Sequence, residues 1–401
     1  MSREIYLDNS STTKPYDEVI AYMNDVNKNF YGNPSSLHTK GIEAENLVKL
    51  ARTQISATLS VDSKEIVFTS GGTESNNLAI IGFLKANPRA GKHVITSEIE
   101  HPSVLEVFKQ LAKDGYKVDY IPVDNKGVIK LDILEKVINS DTALLSFMHT
   151  NNETGAIQPI DEIHKIKKAK CPSAVLHVDA VQAYGKIRTY PKNYGIDLLS
   201  ISSHKIHGPK GTGALYIRKG IRVKPVLLGG GQEVSLRSGT ENVSGICGFG
   251  LAAEKIFTDI DANYSHIVSI NEYFVQKITG LFENAVINSH DQGLPYIINV
   301  SFSNLKSEVL LHHLEQKNIF VSTGSACSSH KKSHSYVLKA MGVDSKNIDS
   351  AIRFSLSASN SISDIDEAVE ALKEIIPIIS IKHRGKSWKV LKKKSTSERN
   401  V

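Results

Sequence analysis

Five strand-like runs in this 401-residue sequence end in residues that can do chemistry rather than in ordinary turn residues. DLLSISS (197–203) leads directly into His204-Lys205-Ile206-His207-Gly208-Pro209-Lys210-Gly211. A lysine placed there is poorly explained as a solvated charge. Burial would depress its pKa, which suits Schiff-base chemistry. Asp179 ends AVLHVD (174–179) and is followed by Gln182; a carboxylate at the end of a buried strand is costly without a cationic partner. EIVFTS (65–70) opens into Gly71-Gly72-Thr73, a turn before a helix whose amides and dipole make an anion site. HVITSE (93–98) is followed by His101, and TALLSFMH (142–149) by the polar turn Thr150-Asn151-Asn152-Glu153-Thr154-Gly155.

Each piece has a plainer reading: a buried salt bridge, a tight strand–helix connection, a structural histidine, a helix cap. The glycine turn lacks both the Walker lysine and the GxGxxG spacing, so nucleotide signatures do not apply. Taken together, a lysine for an imine, a carboxylate for a pyridinium nitrogen and an anion-binding turn are the parts of a pyridoxal phosphate site.

Three cysteines, Cys171, Cys247 and Cys327, are too few and too scattered for a disulfide framework or a zinc site, so no metal is expected and a reducing cytoplasm fits best. Cys247 lies among apolar residues in GICGFGLAA and reads as a core thiol. Cys327 lies among small polar residues, with His330, Lys331, Lys332 and His334 adding positive potential that favours thiolate. It reads as the reactive one.

The elements that must position these groups follow from hydrophobic periodicity. KVDYIPV (117–123) and GALYIR (213–218) complete a set of seven β-rich runs, several of them nearly continuous in apolar residues, with helix-like segments between them. That alternation predicts an α/β fold with a mostly parallel seven-stranded sheet covered by helices on both faces. Beyond residue 260 the pattern changes to helix, YIINVSF (296–302), helix, AIRFSLS (351–357) and a last amphipathic helix, which reads as a smaller α+β domain. The expected division is 15–259 for the large domain, 1–14 with 260–381 for the small one, and 382–401 as a basic tail.

The tail accounts for the charge. The whole chain has 48 Lys or Arg against 42 Asp or Glu, or +6. The tail holds eight basic residues and one acidic, a net +7, leaving 40 against 41, or −1, for residues 1–381. Direct nucleic-acid binding is therefore not expected of the body. The tail, which carries Trp388, reads as a solvated end or as a docking arm for an acidic partner. No run reaches the roughly 18 apolar residues of a membrane helix, and the N-terminus has no apolar signal core.

The chain resembles the NifS/IscS-type cysteine desulfurases, pyridoxal phosphate enzymes of the class V aminotransferase group. The likeness is carried by YGNPSS (31–36), FTSGGTESNN (68–77), EHPSV (100–104), HTNNETG (149–155), HVDAVQ (177–182), SSHKIHGPKGTGALY (202–216), RSGTEN (237–242) and STGSACSS (322–329). The resemblance implies that Lys205 holds the cofactor as a Schiff base, Asp179 pairs with its ring nitrogen, Gln182 bonds the ring oxygen and His101 stacks on the ring. It implies that Gly72, Thr73, Ser202 and His204 hold the phosphate, with Thr240 reaching it from the other subunit of a homodimer. Asn33 and Arg353 would bind the substrate carboxylate, and Asn152 would lie beside cofactor and substrate. L-Cysteine would become L-alanine, with Cys327 taking the sulfur as a persulfide for an iron–sulfur scaffold or a tRNA or thiamine thiolation enzyme. The residues after Cys327 depart from the family pattern, which bears on the acceptor rather than the chemistry. A selenocysteine lyase or transaminase of the same fold is the alternative.

Overall fold

The seven apolar runs form one sheet because nearly every residue in them faces a packed layer. The computed structural model describes residues 3–323 and 334–383. In chain order the strands are β1 (Ile5–Tyr6), β2 (Ile66–Thr69), β3 (His93–Ser97), β4 (Lys117–Ile121), β5 (Thr142–Met148), β6 (Val175–Asp179), β7 (Leu198–Ser202), β8 (Gly213–Ile217), β9 (Ala285–Ile287), β10 (Ile297–Phe302), β11 (Ile319–Phe320) and β12 (Ala351–Ser355). The large sheet runs β2-β8-β7-β6-β5-β3-β4. Its pairs are parallel except those of β8, which is antiparallel to both β7 and β2.

Successive side chains on a strand point to opposite faces, and here both faces are apolar. Leu145 and Phe147 of β5 join Ile95, Leu176, Val178 and Leu199 in one core. Leu144 joins Val94, Val175, Leu198 and Leu215 in another on the opposite face. Helices Thr39–Leu59 and Val243–Thr258 close the first through Ile55 and Phe249, and helix Pro102–Lys113 closes the second through Val104 and Phe108. A fully buried side chain of this size contributes about 1.5–3 kcal/mol, so these two layers fix the strand ends to which the polar loops are attached.

A third core belongs to the rest of the chain. Antiparallel strands β12-β10-β9 pack against helices Ile260–Leu281 and Ile362–His383, with Phe274 and Phe354 in edge contact, ring centroids 4.9 Å apart. Ile5 and Leu7 enter this core, because β1 pairs in parallel with β11 and Asp8 bridges to Ser355. The N-terminal segment thus leaves the third core and passes over the end of the large sheet.

The helix-like run TESNNLAIIGFLKAN (73–87), which follows the Gly71-Gly72 turn, is interrupted. The segment over 73–87 is α-helical at Gly72–Asn77, takes a π-turn at Leu78–Gly82 and resumes at Phe83–Ala86. Such turns widen a helix locally and recur beside functional sites. Among the described residues no helix is long and apolar enough to cross a membrane.

Candidate active site

The carboxyl ends of β2, β3, β5, β6 and β7 open onto one cavity of about 200 Å³. This is where open α/β sheets bind ligands. The loop after β2 contributes Gly72, Thr73 and Asn76; the loop after β3, His101 and Ser103; that after β5, Thr150 and Asn152. Asp179 and Gln182 follow from β6, Ser202, His204 and Lys205 from β7, while Ser10, Ser11 and Arg353 reach in from the third core's side. Ten of the residues singled out in the sequence therefore meet here: Gly72, Thr73, His101, Asn152, Asp179, Gln182, Ser202, His204, Lys205 and Arg353.

Lys205 ends a 3₁₀ turn, Ser203–Lys205, and its ammonium donates to the carbonyls of Ser10 and Ser11, the latter at 2.8 Å. Asp179 is buried and accepts from Asn76 Nδ2 at 2.7 Å and from the Val181 amide at 3.0 Å. Among the described residues no ion pair compensates it. Two hydrogen bonds to a charged group are worth about 1.5–3 kcal/mol each, while burying the ion costs several. These terms roughly cancel, so a cation arriving opposite Asp179 is strongly favoured.

Asn76 also donates to Ser103 Oγ at 2.8 Å, and Ser103 Oγ bonds His101 Nδ1 at 2.8 Å. The Ser103 amide donates to the same Nδ1 at 3.1 Å, capping helix Pro102–Lys113. Because Nδ1 accepts, the hydrogen-bond network assigns the proton of neutral His101 to Nε2. Burial lowers the His101 pKa and Lys205 adds to this, against the opposing pull of Asp179. His204 is pushed down to about 4 by burial and by the cations Lys205, Lys210 and Lys186.

Arg353 is held tightly. Nη1 donates to the Asn152 carbonyl at 2.8 Å, and Nη2 to Asp8 at 2.8 Å and Ser11 Oγ at 2.7 Å. Its Nε is buried and unpaired. Five of the twelve buried side-chain polar atoms without a partner among the described residues belong to this one cavity: those of Ser10, Asn76, Asn152, Ser202 and Arg353. Buried polar groups are normally satisfied, so the concentration marks a place built for a polar ligand.

Pyridoxal phosphate fits this donor set. Its aldehyde matches the Lys205 amine, its ring nitrogen Asp179, and its phosphate the unpaired Ser202 hydroxyl and the first-turn amides of Gly72 and Thr73, which have no intrahelical acceptor. The backbone is shaped for close approach. Gly71 has φ 151° and ψ −177°, a region open essentially to glycine alone. A Cβ on Gly72 would stand 2.7 Å from Val181 Cγ2.

Two of the sequence-derived positions stay outside the cavity. Asn33 is exposed, its Oδ1 accepting from the Ser35 amide at 2.9 Å, and Thr240 is exposed as well. Neither lines the cavity of the single chain. Cys327 and the basic tail from residue 384 lie outside the described residues.

The sequence reading missed Asn76, Ser103 and the carbonyls of Ser10 and Ser11. Asn76 had a usable signal: four residues after Gly72, it lies on the same helix face. Also missed were two buried carboxyls, Glu100, pushed up to about 8 by burial, and Glu153, pushed up to about 7 by burial. Ser335 donates to Glu153 Oε2 at 2.5 Å, and Tyr336 Oη to the Glu100 carbonyl at 2.6 Å. The chain following residue 333 is thereby tied to the loops that carry Asn152 and His101.

A lysine, a carboxylate and an anion cradle at the strand ends of such a sheet define an enzyme of the pyridoxal phosphate type. Comparison with known proteins agrees: the chain belongs to the aminotransferase class-V family, whose model matches residues 5–368. It is 42% identical over 395 residues to cysteine desulfurase IscS of Dictyoglomus turgidum, covering 98% of this chain and 100% of that protein. A solved NifS-like protein superposes with a TM-score of 0.89 at 39% identity, covering 94% of this chain and 100% of that one. A structure described as SspA in complex with cysteine gives a TM-score of 0.79 at 33% identity, over 89% and 100%.

Proposed function

We propose that this protein is a pyridoxal phosphate-dependent cysteine desulfurase. The carrying observation is the cavity that gathers Lys205, Asp179, His101 and Arg353 in a chain aligned end to end with a cysteine desulfurase. One similar structure is described as holding cysteine, which supports the substrate. When bound, the cofactor supplies an electron sink for the carbanion formed at the substrate Cα.

The chain's own residues do the rest. Asp179, fixed by Asn76, would hold the ring nitrogen and favour its cationic form. Ser202, His204, Gly72 and Thr73 would hold the phosphate, and Gln182 the ring oxygen. Arg353, with Asn152, binds the substrate carboxylate. Lys205 Nζ would hold the cofactor and would be the base placed to take the substrate Cα proton. His101 would lie against the cofactor and would remove the substrate thiol proton, a task suited to a histidine whose pKa is lowered by burial. Cys327 accepts the sulfur. The net step balances within the pair: the substrate C–S bond becomes C–H in alanine, and the Cys327 thiol becomes a persulfide. No outside oxidant is needed.

The purified chain is expected to bind pyridoxal phosphate with a visible absorbance bleached by borohydride, and to release alanine and, with a thiol reductant, sulfide from L-cysteine. Absence of alanine overturns the reading, and a 2-oxo acid that keeps its sulfur would favour a transaminase; alanine released without sulfur transfer to an enzyme thiol would favour a lyase. Replacement Arg353→Lys keeps the charge beside Asp8 but loses the fork. It is expected to raise KM for cysteine at least about tenfold, the cost of one charge-assisted hydrogen bond, with the cofactor absorbance unchanged.

The same reading makes the protein a homodimer. Supporting this, Tyr31, Leu37, Leu228 and Val234 are 73%, 96%, 82% and 79% exposed, in the chain segments that carry Asn33 and Thr240. Both residues then serve the partner's cavity rather than their own. Residues 15–259 act as the cofactor-binding domain, and 1–14 with 260–381 as the domain carrying Cys327. Two unpaired core thiols, Cys171 and Cys247, fit a reducing cytoplasm. The sulfur goes to an iron–sulfur scaffold or thiolation enzyme, with the tail as docking arm for an acidic acceptor. Deleting residues 385–401 is expected to slow delivery to that acceptor severalfold while sparing alanine formation; equal delivery would return the tail to a solvated end.

A further inference from the structure

Lys186 is a buried lysine of the site region and has no part in the reaction described above. It is 4% exposed, and among the described residues no carboxylate pairs with it. Its ammonium donates to Gln182 Oε1 at 2.9 Å and lies 5.9 Å from the centre of the Tyr296 ring. On the other side of the same amide, Gln182 Nε2 donates to the Ser10 carbonyl at 2.9 Å, the carbonyl that also accepts from Lys205.

This arrangement determines which way the amide faces. An ammonium has no acceptor and a carbonyl has no donor. Oε1 must therefore face Lys186 and Nε2 must face Ser10, so the flip that often leaves a glutamine ambiguous is closed here. One N–H of Nε2 remains, and Gln182 lines the cavity. It offers the cavity an N–H donor, which an anionic oxygen accepts more strongly than a hydroxyl does. A cation buried without a counter-charge is unfavourable, and burial with the charges of Lys205 and Arg353 pushes Lys186 down to about 7. What Lys186 lacks is an anion, and an anionic oxygen on Gln182 would supply one through a single amide.

We propose that Lys186 is a positioning residue that fixes Gln182 as a donor to the cofactor's ring oxygen and holds that oxygen anionic. This rests on the cofactor reading given above. The titratable and charged groups facing Lys186 are Lys205, His204 and His207 from the turn after β7, Arg353 from β12, and Tyr296 ahead of β10. Apart from the Tyr296 phenol, all are cations or potential cations, so none replaces the missing anion.

The experiment is a pH titration of the visible cofactor absorbance of the intact holoenzyme. A cation near the ring oxygen disfavours protonation of the adjoining imine nitrogen and so lowers its midpoint. Lys186→Met, close in volume to lysine, is expected to raise the midpoint by about one pH unit. It should also weaken cofactor affinity of the apoprotein about tenfold, the middle of the range for neighbours in one network. Borohydride incorporation stays intact because Lys205 is untouched. Gln182→Leu is expected to raise the midpoint similarly, and adding Lys186→Met to it should change little further. A full additional shift in the double variant overturns the proposal, since Lys186 would then act independently of Gln182. So does an unmoved midpoint in Lys186→Met. Should that variant not fold, Lys186→Gln carries the same expectation. A parent chain that takes up no cofactor removes the activity reading and this inference together; a normal parent with an unmoved variant removes the inference alone.

Discussion

A Lys205→Ala chain is expected to show no visible absorbance after incubation with pyridoxal phosphate, and to release alanine from cysteine at least about 10³-fold more slowly. Two losses combine. The amine that anchors the cofactor is gone, and so is the base that takes the Cα proton. The position is set by the sheet: β7 is buried over all five residues, and the 3₁₀ turn Ser203–Lys205 delivers the side chain to the Ser10 and Ser11 carbonyls. The described partners it would lose, the Ser10 and Ser11 carbonyls, are neutral backbone groups. Folding should be preserved, with a melting temperature within about 4 °C of the parent, a difference of the order of 1 kcal/mol. Turnover surviving at more than a few per cent would show that another amine does this work. Lys186 is the one to test then, since it is a buried lysine bonded to Gln182.

The strands were legible because burial on both faces writes continuous apolar runs, as in TALLSFM of β5. The site was legible where a charged residue interrupts that logic at a strand end, as Asp179 and Lys205 do. Less visible was what holds those charges. Asn76 and Ser103 are neutral, and the acceptors of Lys205 are main-chain carbonyls, which no side-chain pattern reveals. Glu100 and Glu153 sit in segments that read as polar turns, yet both carboxyls are buried against the cavity loops. Asn33 and Thr240 mark the opposite limit. Their motifs are clear in sequence, but the folded single chain leaves both exposed. The π-turn at Leu78–Gly82 was hidden for another reason, since helical periodicity over 73–87 does not report one extra residue per turn.

Cys327→Ala is expected to abolish alanine formation, by at least about 10³-fold, the scale of losing an essential reacting group, while leaving the cofactor absorbance and its bleaching by borohydride as in the parent. The two other cysteines provide the control. Cys171 is 2% exposed and its Sγ lies 3.4 Å from the Thr142 carbonyl, inside the core under the sheet. Cys247 is 1% exposed on helix Val243–Thr258, and burial pushes its thiol up to about 11. Both lie in the core, and neither lines the cavity. Cys171→Ala and Cys247→Ala should therefore keep alanine formation within about twofold of the parent and lower only stability, by about 1 kcal/mol each for a small buried side chain. The cysteine-loaded enzyme should carry its extra sulfur on the peptide containing Cys327 and on no other. Alanine release by Cys327→Ala at a rate near the parent's would end the persulfide mechanism and leave a lyase acting in the same cavity. Loss of both alanine and absorbance would instead mean that the segment bearing Cys327 supports the cofactor, a different role that its distance in sequence from Lys205 gives no reason to expect.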